Sequence, residues 1–114
     1  MTLSEKQRKF TIYVARLIDY AYRMGYELSF GEAYRTPEQA ALNVKNGSGI
    51  LNSLHCKRLA VDLNLFKDGE YLRDSSMYAF LGSYWKTLNP LCCWGGDFVK
   101  VDGNHFSLSH EGIK

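Results

Sequence analysis

Leu59-Ala60-Val61-Asp62-Leu63-Asn64-Leu65-Phe66 alternates with period two, and this stretch decides how the rest of the chain is read. Successive side chains of a strand point to opposite faces, so Leu59, Val61, Leu63 and Leu65 share one face and Ala60, Asp62, Asn64 and Phe66 the other. The first face is a core face; the second presents a carboxylate. Lys67-Asp68-Gly69-Glu70 then supplies a hairpin turn into a short strand around Tyr71 and Leu72, which starts an antiparallel sheet.

Upstream, Ser4-Glu5-Lys6-Gln7 has the form of a capping box, and Phe10, Val14, Leu17, Ile18 and Ala21 recur at helical spacing as far as Gly25. This predicts an amphipathic first helix. Tyr26 to Tyr34 reads as a strand that delivers Arg35 at its end. Thr36-Pro37-Glu38-Gln39 places a capping side chain before a proline and opens a second helix through Ala40, Ala41, Leu42 and Val44, closed by Asn46-Gly47-Ser48-Gly49. Downstream, Asp74-Ser75-Ser76 caps a third helix carrying Met77, Phe80, Leu81, Tyr84, Trp85 and Leu88, ended by Asn89-Pro90. Trp94-Gly95-Gly96-Asp97-Phe98 reads as a turn entering a final strand pair over Val99 to Leu108. The expected fold is α+β, a small antiparallel sheet flanked by about three helices.

A chain of 114 residues fits one domain, residues 1–114, around one hydrophobic core. Its 46% hydrophobic and 23% charged composition is ordinary globular usage. The net charge of +2 comes from scattered residues, which argues against a nucleic-acid partner and mildly favours an anionic surface or substrate. Met1 to Phe10 lacks the apolar core of a secretory signal, and no apolar run reaches a membrane span. The expectation is a protein made in the cytoplasm without a signal peptide and not inserted in a membrane. Cys56, Cys92 and Cys93 are odd in number, two of them adjacent, which suits free thiols rather than a disulfide framework or a thiolate metal site.

The chemistry lies in Ser53-Leu54-His55-Cys56-Lys57-Arg58, just before the alternating strand, and in Asp102-Gly103-Asn104-His105-Phe106. Two imidazoles and a carboxylate are the ligand set of a catalytic zinc that keeps one coordination position for water. His55, Asp62 and His105 supply that set, in a chain with 3 histidines. A lone His or Asp is more often hydrogen-bonded or solvated, so the combination carries the reading. Asp102, an extra carboxylate beside the last ligand, is suited to moving the water's proton, and the whole reads as a metallohydrolase. His110 is read as solvated surface, and Tyr13, Tyr20, Tyr22 and Tyr26 as packing residues.

The pattern Ser-x-His-x6-Asp, with an acidic residue three before a second His, resembles the zinc peptidases of the D-alanyl-D-alanine carboxypeptidase family. Leu59 to Phe66 and Trp94-Gly95-Gly96-Asp97-Phe98 are similar to its branch of phage endolysins that act as L-alanyl-D-glutamate endopeptidases. The resemblance runs from about Tyr34 to Phe106 and implies a hedgehog/D-Ala-D-Ala peptidase-like fold. It implies zinc on His55, Asp62 and His105, Asp102 as general base, Arg35 against the substrate near the scissile bond, and Ser53 and Trp94 lining the substrate groove. From the residues alone, Arg35 suits an oxyanion or carboxylate contact as well as a surface ion pair, and Trp94 suits a groove wall as well as a core aromatic beside a tight turn. Gln39 is placed with the substrate-binding residues, as a holder of Arg35, or else faces solvent.

Two positions depart from the family: many relatives carry glycine where this chain has Arg58, and other branches use Glu where it has Asp102. The implied activity is cleavage of the bond between L-alanine and D-glutamate in the peptidoglycan stem peptide at host lysis. A holin would give a monomeric enzyme access to the cell wall in the periplasm. The alternatives are a D,D-carboxypeptidase or D-Ala-D-Ala dipeptidase, and a zinc-stabilised binding module without catalysis, in which Asp102 would have no use.

Overall fold

The computed structural model describes residues 1–47 and 52–114; Ser48 and Gly49, expected to close the second helix, lie outside the described residues. The alternating stretch forms strand β2, Ala60–Lys67, with Leu59, Val61, Leu63 and Leu65 at most 3% exposed. Asp62, Asn64 and Phe66 are half-buried on the opposite face. Strand β1, Glu27–Phe30, pairs antiparallel along one edge of β2. The other edge takes β5, His105–Leu108, at its start and β3, Glu70–Leu72, at its end. Strand β4, Cys92–Trp94, pairs outside β5, giving the order β1-β2-β5-β4.

β1 is shorter than the expected Tyr26 to Tyr34 because the chain bulges after Phe30. The Gly31 N–H donates to the Asp62 carbonyl and the Asp62 N–H donates to the Glu32 carbonyl, each at 2.8 Å, so two residues face one. A Cβ at position 31 would stand 3.1 Å from that of Asp62, and glycine permits the approach.

Helix α1, Leu3–Arg23, lays Phe10, Tyr13, Leu17 and Ala21 into the core. Its capping box is Thr2 with Glu5 rather than one opened by Ser4, which lies inside the helix. Helix α2, Pro37–Lys45, starts under Thr36, whose hydroxyl accepts from the Gln39 N–H at 3.0 Å. Helix α3, Ala79–Leu88, begins later than expected, since Asp74 makes no side-chain cap and Ser75–Tyr78 form a 3-10 turn. The buried Tyr78 holds that turn to the sheet: its hydroxyl donates to the Leu72 carbonyl at 2.8 Å and accepts from the Leu65 N–H at 3.0 Å. Trp85 of α3 packs edge-on against Phe10, Tyr13 and Phe106, and its indole N–H donates to the Ser107 carbonyl at 3.1 Å. Of these tyrosines, Tyr20 stacks on Tyr84 and Tyr26 packs at a tilt against Phe80, while Tyr22 is half exposed.

The final strand pair differs from expectation. β5 pairs with Cys92–Trp94, and Val99 to Asn104 is loop. The Gly95 carbonyl accepts from the Phe98 and Asp102 N–H groups at 3.1 and 2.9 Å, which folds this segment back on itself and leaves Val99 and Val101 exposed. Asp102 therefore precedes the strand that carries His105. The result is an α+β fold, with three α-helices among the described residues and an antiparallel sheet. Among the described residues no helix is long and apolar enough to cross a membrane.

Candidate metal centre

His55 sits in a 3-10 turn, Leu54–Lys57, whose first N–H groups would be unsatisfied without a cap; the buried Ser53 hydroxyl accepts from the His55 N–H at 3.1 Å. The ring's Nδ1 donates to the Ala33 carbonyl at 3.3 Å, which leaves Nε2 as the free lone pair. Nε2 lies 3.4 Å from Asp62 Oδ1. Asp62 and His105 are direct cross-strand partners, and His105 Nδ1 lies 3.5 Å from the same oxygen. One ligand atom from each residue falls within 4.8 Å of the others.

These residues fit a metal ion. Ligands arranged tetrahedrally at about 2.0–2.1 Å from zinc stand roughly 3.3–3.4 Å apart, close to the separations around Asp62 Oδ1. That oxygen is buried and has no hydrogen-bond partner. A buried carboxylate oxygen left unsatisfied between two imidazoles is costly unless a cation completes it.

Burial would by itself raise the Asp62 pKa, but His105 and His55 outweigh it and hold the carboxyl down to about 2. Burial pulls the other way on His55, where Asp62, the Ala33 carbonyl and Glu32 prevail and raise it above its ordinary value. Asp102 is pushed up by partial withdrawal from water and by the charge of Asp62, against the pull of His105, His55 and Lys100.

The three candidate ligands open onto a cleft of about 430 Å³ that is also lined by Arg35, Ser53, Phe98, Lys100 and Asp102. Its predicted ligands, base and arginine thus come together. Arg35 is paired with Glu32: Nε donates to Oε1 at 2.9 Å and an Nη2 hydrogen goes to the same oxygen. Glu32, which sequence reasoning missed, also stands 3.7 Å from His55 Nδ1. An acidic residue three before an arginine was the only signal for it, and that spacing says nothing until the bulge fixes the register.

Two expected substrate residues are placed elsewhere. The Gln39 side chain is exposed and donates along α2 to Asn43 at 2.7 Å, so Glu32, not Gln39, holds Arg35. Trp94 lies behind the cleft loop rather than in the cleft lining, with Gly82 and Gly96 against its ring and its indole N–H donating to the Gly103 carbonyl at 2.7 Å. Its role is to support the segment that carries Asp102. Cys56, Cys92 and Cys93 are free thiols outside the His-Asp-His cluster, and burial pushes Cys92 up to about 12. His110 is not surface: its ring is 14% exposed, with Nδ1 accepting from Lys6 Nζ at 3.1 Å.

Arg58, the first departure from the family pattern, adopts the left-handed conformation at φ 55°, with its guanidinium 4.0 Å over the Tyr34 ring. Glycine adopts that conformation at no steric cost, so a glycine would fit the backbone that Arg58 adopts here.

A sequence profile described as D-alanyl-D-alanine carboxypeptidase matches residues 46–108, a span containing His55, Asp62, Asp102 and His105. The chain resembles the crystal structure of the Serratia marcescens L-Ala D-Glu endopeptidase ChiX with a TM-score of 0.71 and 26% identity, over 93% of this chain and 85% of that one. No curated protein matches it in sequence. Because the profile covers more than half of its residues and the fold and candidate ligands agree, the chain belongs to the D-alanyl-D-alanine carboxypeptidase family and is a peptidase.

Proposed function

We propose that the chain is a zinc-dependent endopeptidase of bacterial peptidoglycan that cuts the L-alanyl-D-glutamate bond of the stem peptide, in the role of a phage endolysin. The observation that carries this reading is the convergence of His55, Asp62 and His105 in one cleft with Asp102 and Arg35, on a fold shared with an L-Ala D-Glu endopeptidase. A zinc ion held by His55 Nε2, Asp62 Oδ1 and His105 Nδ1 would make water acidic enough to react near neutral pH and would polarise the scissile carbonyl. Asp102, which lines the same cleft, takes the proton of the attacking water and passes it to the leaving amine. Arg35 steadies the carbonyl oxygen as negative charge develops, using donors that Glu32 leaves free. Ser53 keeps the His55 turn in place. The enzyme works as a monomer and reaches the cell wall across a membrane that a holin permeabilises.

Digestion of purified peptidoglycan followed by mass analysis of the new termini tests this. New D-glutamate amino termini, formed only with the metal present, are expected. Release of free D-alanine instead would assign a carboxypeptidase, and intact peptidoglycan with zinc-loaded protein would end the reading. Lysis of host cells only when a holin is co-expressed is the outcome expected for the endolysin role.

A further inference from the structure

The segment from Gly31 to Arg35 is tied to two ligands by its backbone. Gly31 and Glu32 bracket the Asp62 peptide at 2.8 Å, the Ala33 carbonyl accepts from His55 Nδ1 at 3.3 Å, and the Arg35 N–H donates to the His55 carbonyl at 3.2 Å. The side chain at position 32 is therefore held at a fixed point beside the cleft. Among the described residues its carboxylate engages Arg35 and His55, and at 32% exposure it is not buried filling.

We propose that Glu32 is a positioning residue that acts through Arg35, a reading that rests on the role given above to that arginine. Guanidinium presents five donors in a rigid fork. Glu32 takes the Nε–H and one Nη2 hydrogen on a single oxygen, so the orientation of the fork is set and the remaining donors serve the cleft that Arg35 lines. Its second effect concerns charge. Asp62 also attracts Arg35, and a guanidinium that turned onto Asp62 would compete with the cation for the one carboxylate among the ligands. Glu32 is the partner that keeps Arg35 away from it.

The test is Glu32→Gln in the full chain, which keeps the shape and an acceptor but removes the charge. The Nε–H signal of ¹⁵N-labelled Arg35 loses its protection from solvent exchange, and zinc affinity measured against a chelator weakens. Turnover falls roughly 10- to 100-fold, the usual effect of losing a partner that orients a site, with kcat rather than KM carrying the loss. The melting temperature of the metal-free protein stays at that of the parent. In an Arg35→Ala background added guanidinium restores part of the turnover while Glu32 is present and none once Glu32→Gln is added. The double variant is no slower than Arg35→Ala alone, because both changes remove one interaction.

Wild-type kcat in Glu32→Gln, or losses that add in the double variant, would overturn the proposal. A melting temperature that falls in step with activity would reduce Glu32 to a structural ion pair and overturn it as well. If the wild-type protein fails to cut peptidoglycan, the functional reading falls, and the Arg35 Nε–H signal then decides alone. Protection that persists in Glu32→Gln overturns the positioning role, and protection that is lost supports it.

Discussion

Asp102 differs from the other acidic residues of the cleft in what it can do with a proton. Asp62 is held down to about 2 and faces two imidazoles, whereas Asp102 is raised and exposed at the rim. Asp102→Asn is close to isosteric but its amide accepts no proton, so peptidoglycan hydrolysis should drop roughly 10²–10⁴-fold while zinc content and melting temperature hold. Loss of zinc in that variant would show that Asp102 is a ligand. In the metal-free protein the Asp102 carboxyl should titrate above its ordinary value, which a titration followed by NMR checks. Arg58 gives a prediction of the opposite kind. Its left-handed backbone costs about 1–2 kcal/mol for a residue with a Cβ, and the stack on Tyr34 returns roughly 0.5–1 kcal/mol. Arg58→Gly should therefore leave stability within about 1 kcal/mol of the parent and keep the metal; a chemical melt with metal analysis checks both. The types and spacing of the candidate ligands could be read in the sequence because metal coordination restricts them so closely. Glu32 could not, because its value depends on the bulge at Gly31, which no pattern of residues announces.

Among the elements, β2 was legible and the segment after β4 was not, for one physical reason. β2 has a core on one face only, so burial writes a period of two into eight residues. Cys92–Trp94 is three residues long and alternates nothing, and the loop beyond it takes its shape from backbone contacts. Gly95 is central to that shape: a Cβ there would lie 2.0 Å from the Asp102 carbonyl oxygen and 2.8 Å from the His105 Cβ. Gly95→Ala must push the segment away, at a cost of roughly 1–3 kcal/mol for overpacking. Since the displaced residues include the proposed base and a candidate ligand, kcat measured well below the melting temperature should fall further than stability alone explains. A melt and a rate on the same sample decide this; full activity in Gly95→Ala would mean that the loop can adjust without moving Asp102. The capping errors at Ser4 and Asp74 have a similar origin: several polar residues near each start could cap, and tertiary contacts, through Tyr78 in the second case, choose among them.

For the whole molecule, the site couples folding to protons and, with an ion bound, would couple it to metal as well. Without an ion, the lowered Asp62 pKa contributes stability that is present above about pH 4 and lost as pH falls towards about 2. The raised His55 pKa contributes stability present below about pH 6.5 and lost as pH rises through its shifted value. The chelator-treated protein should thus be most stable between these limits. Zinc needs the imidazoles deprotonated, so its binding strengthens as pH rises. At 100 times its dissociation constant it would add about 2.7 kcal/mol. The gap in melting temperature between zinc-loaded and chelated samples should widen from pH 5 to pH 8, and a gap that stays constant would remove His55 from the ligand set. The fold class and the pairing of helices with a sheet could be read in advance. The order of the strands could not, because it depends on contacts between segments distant along the chain.

Asp62 and His105 face each other across β2 and β5, at the centre of the sheet. An ion that bridges them is a cross-link between neighbouring strands, and its effect falls chiefly on how slowly they come apart. The lifetime of the folded molecule and its ability to react would then hang on the same bonds. An enzyme built this way would shorten its folded lifetime by the same event that ends its activity, the departure of the ion.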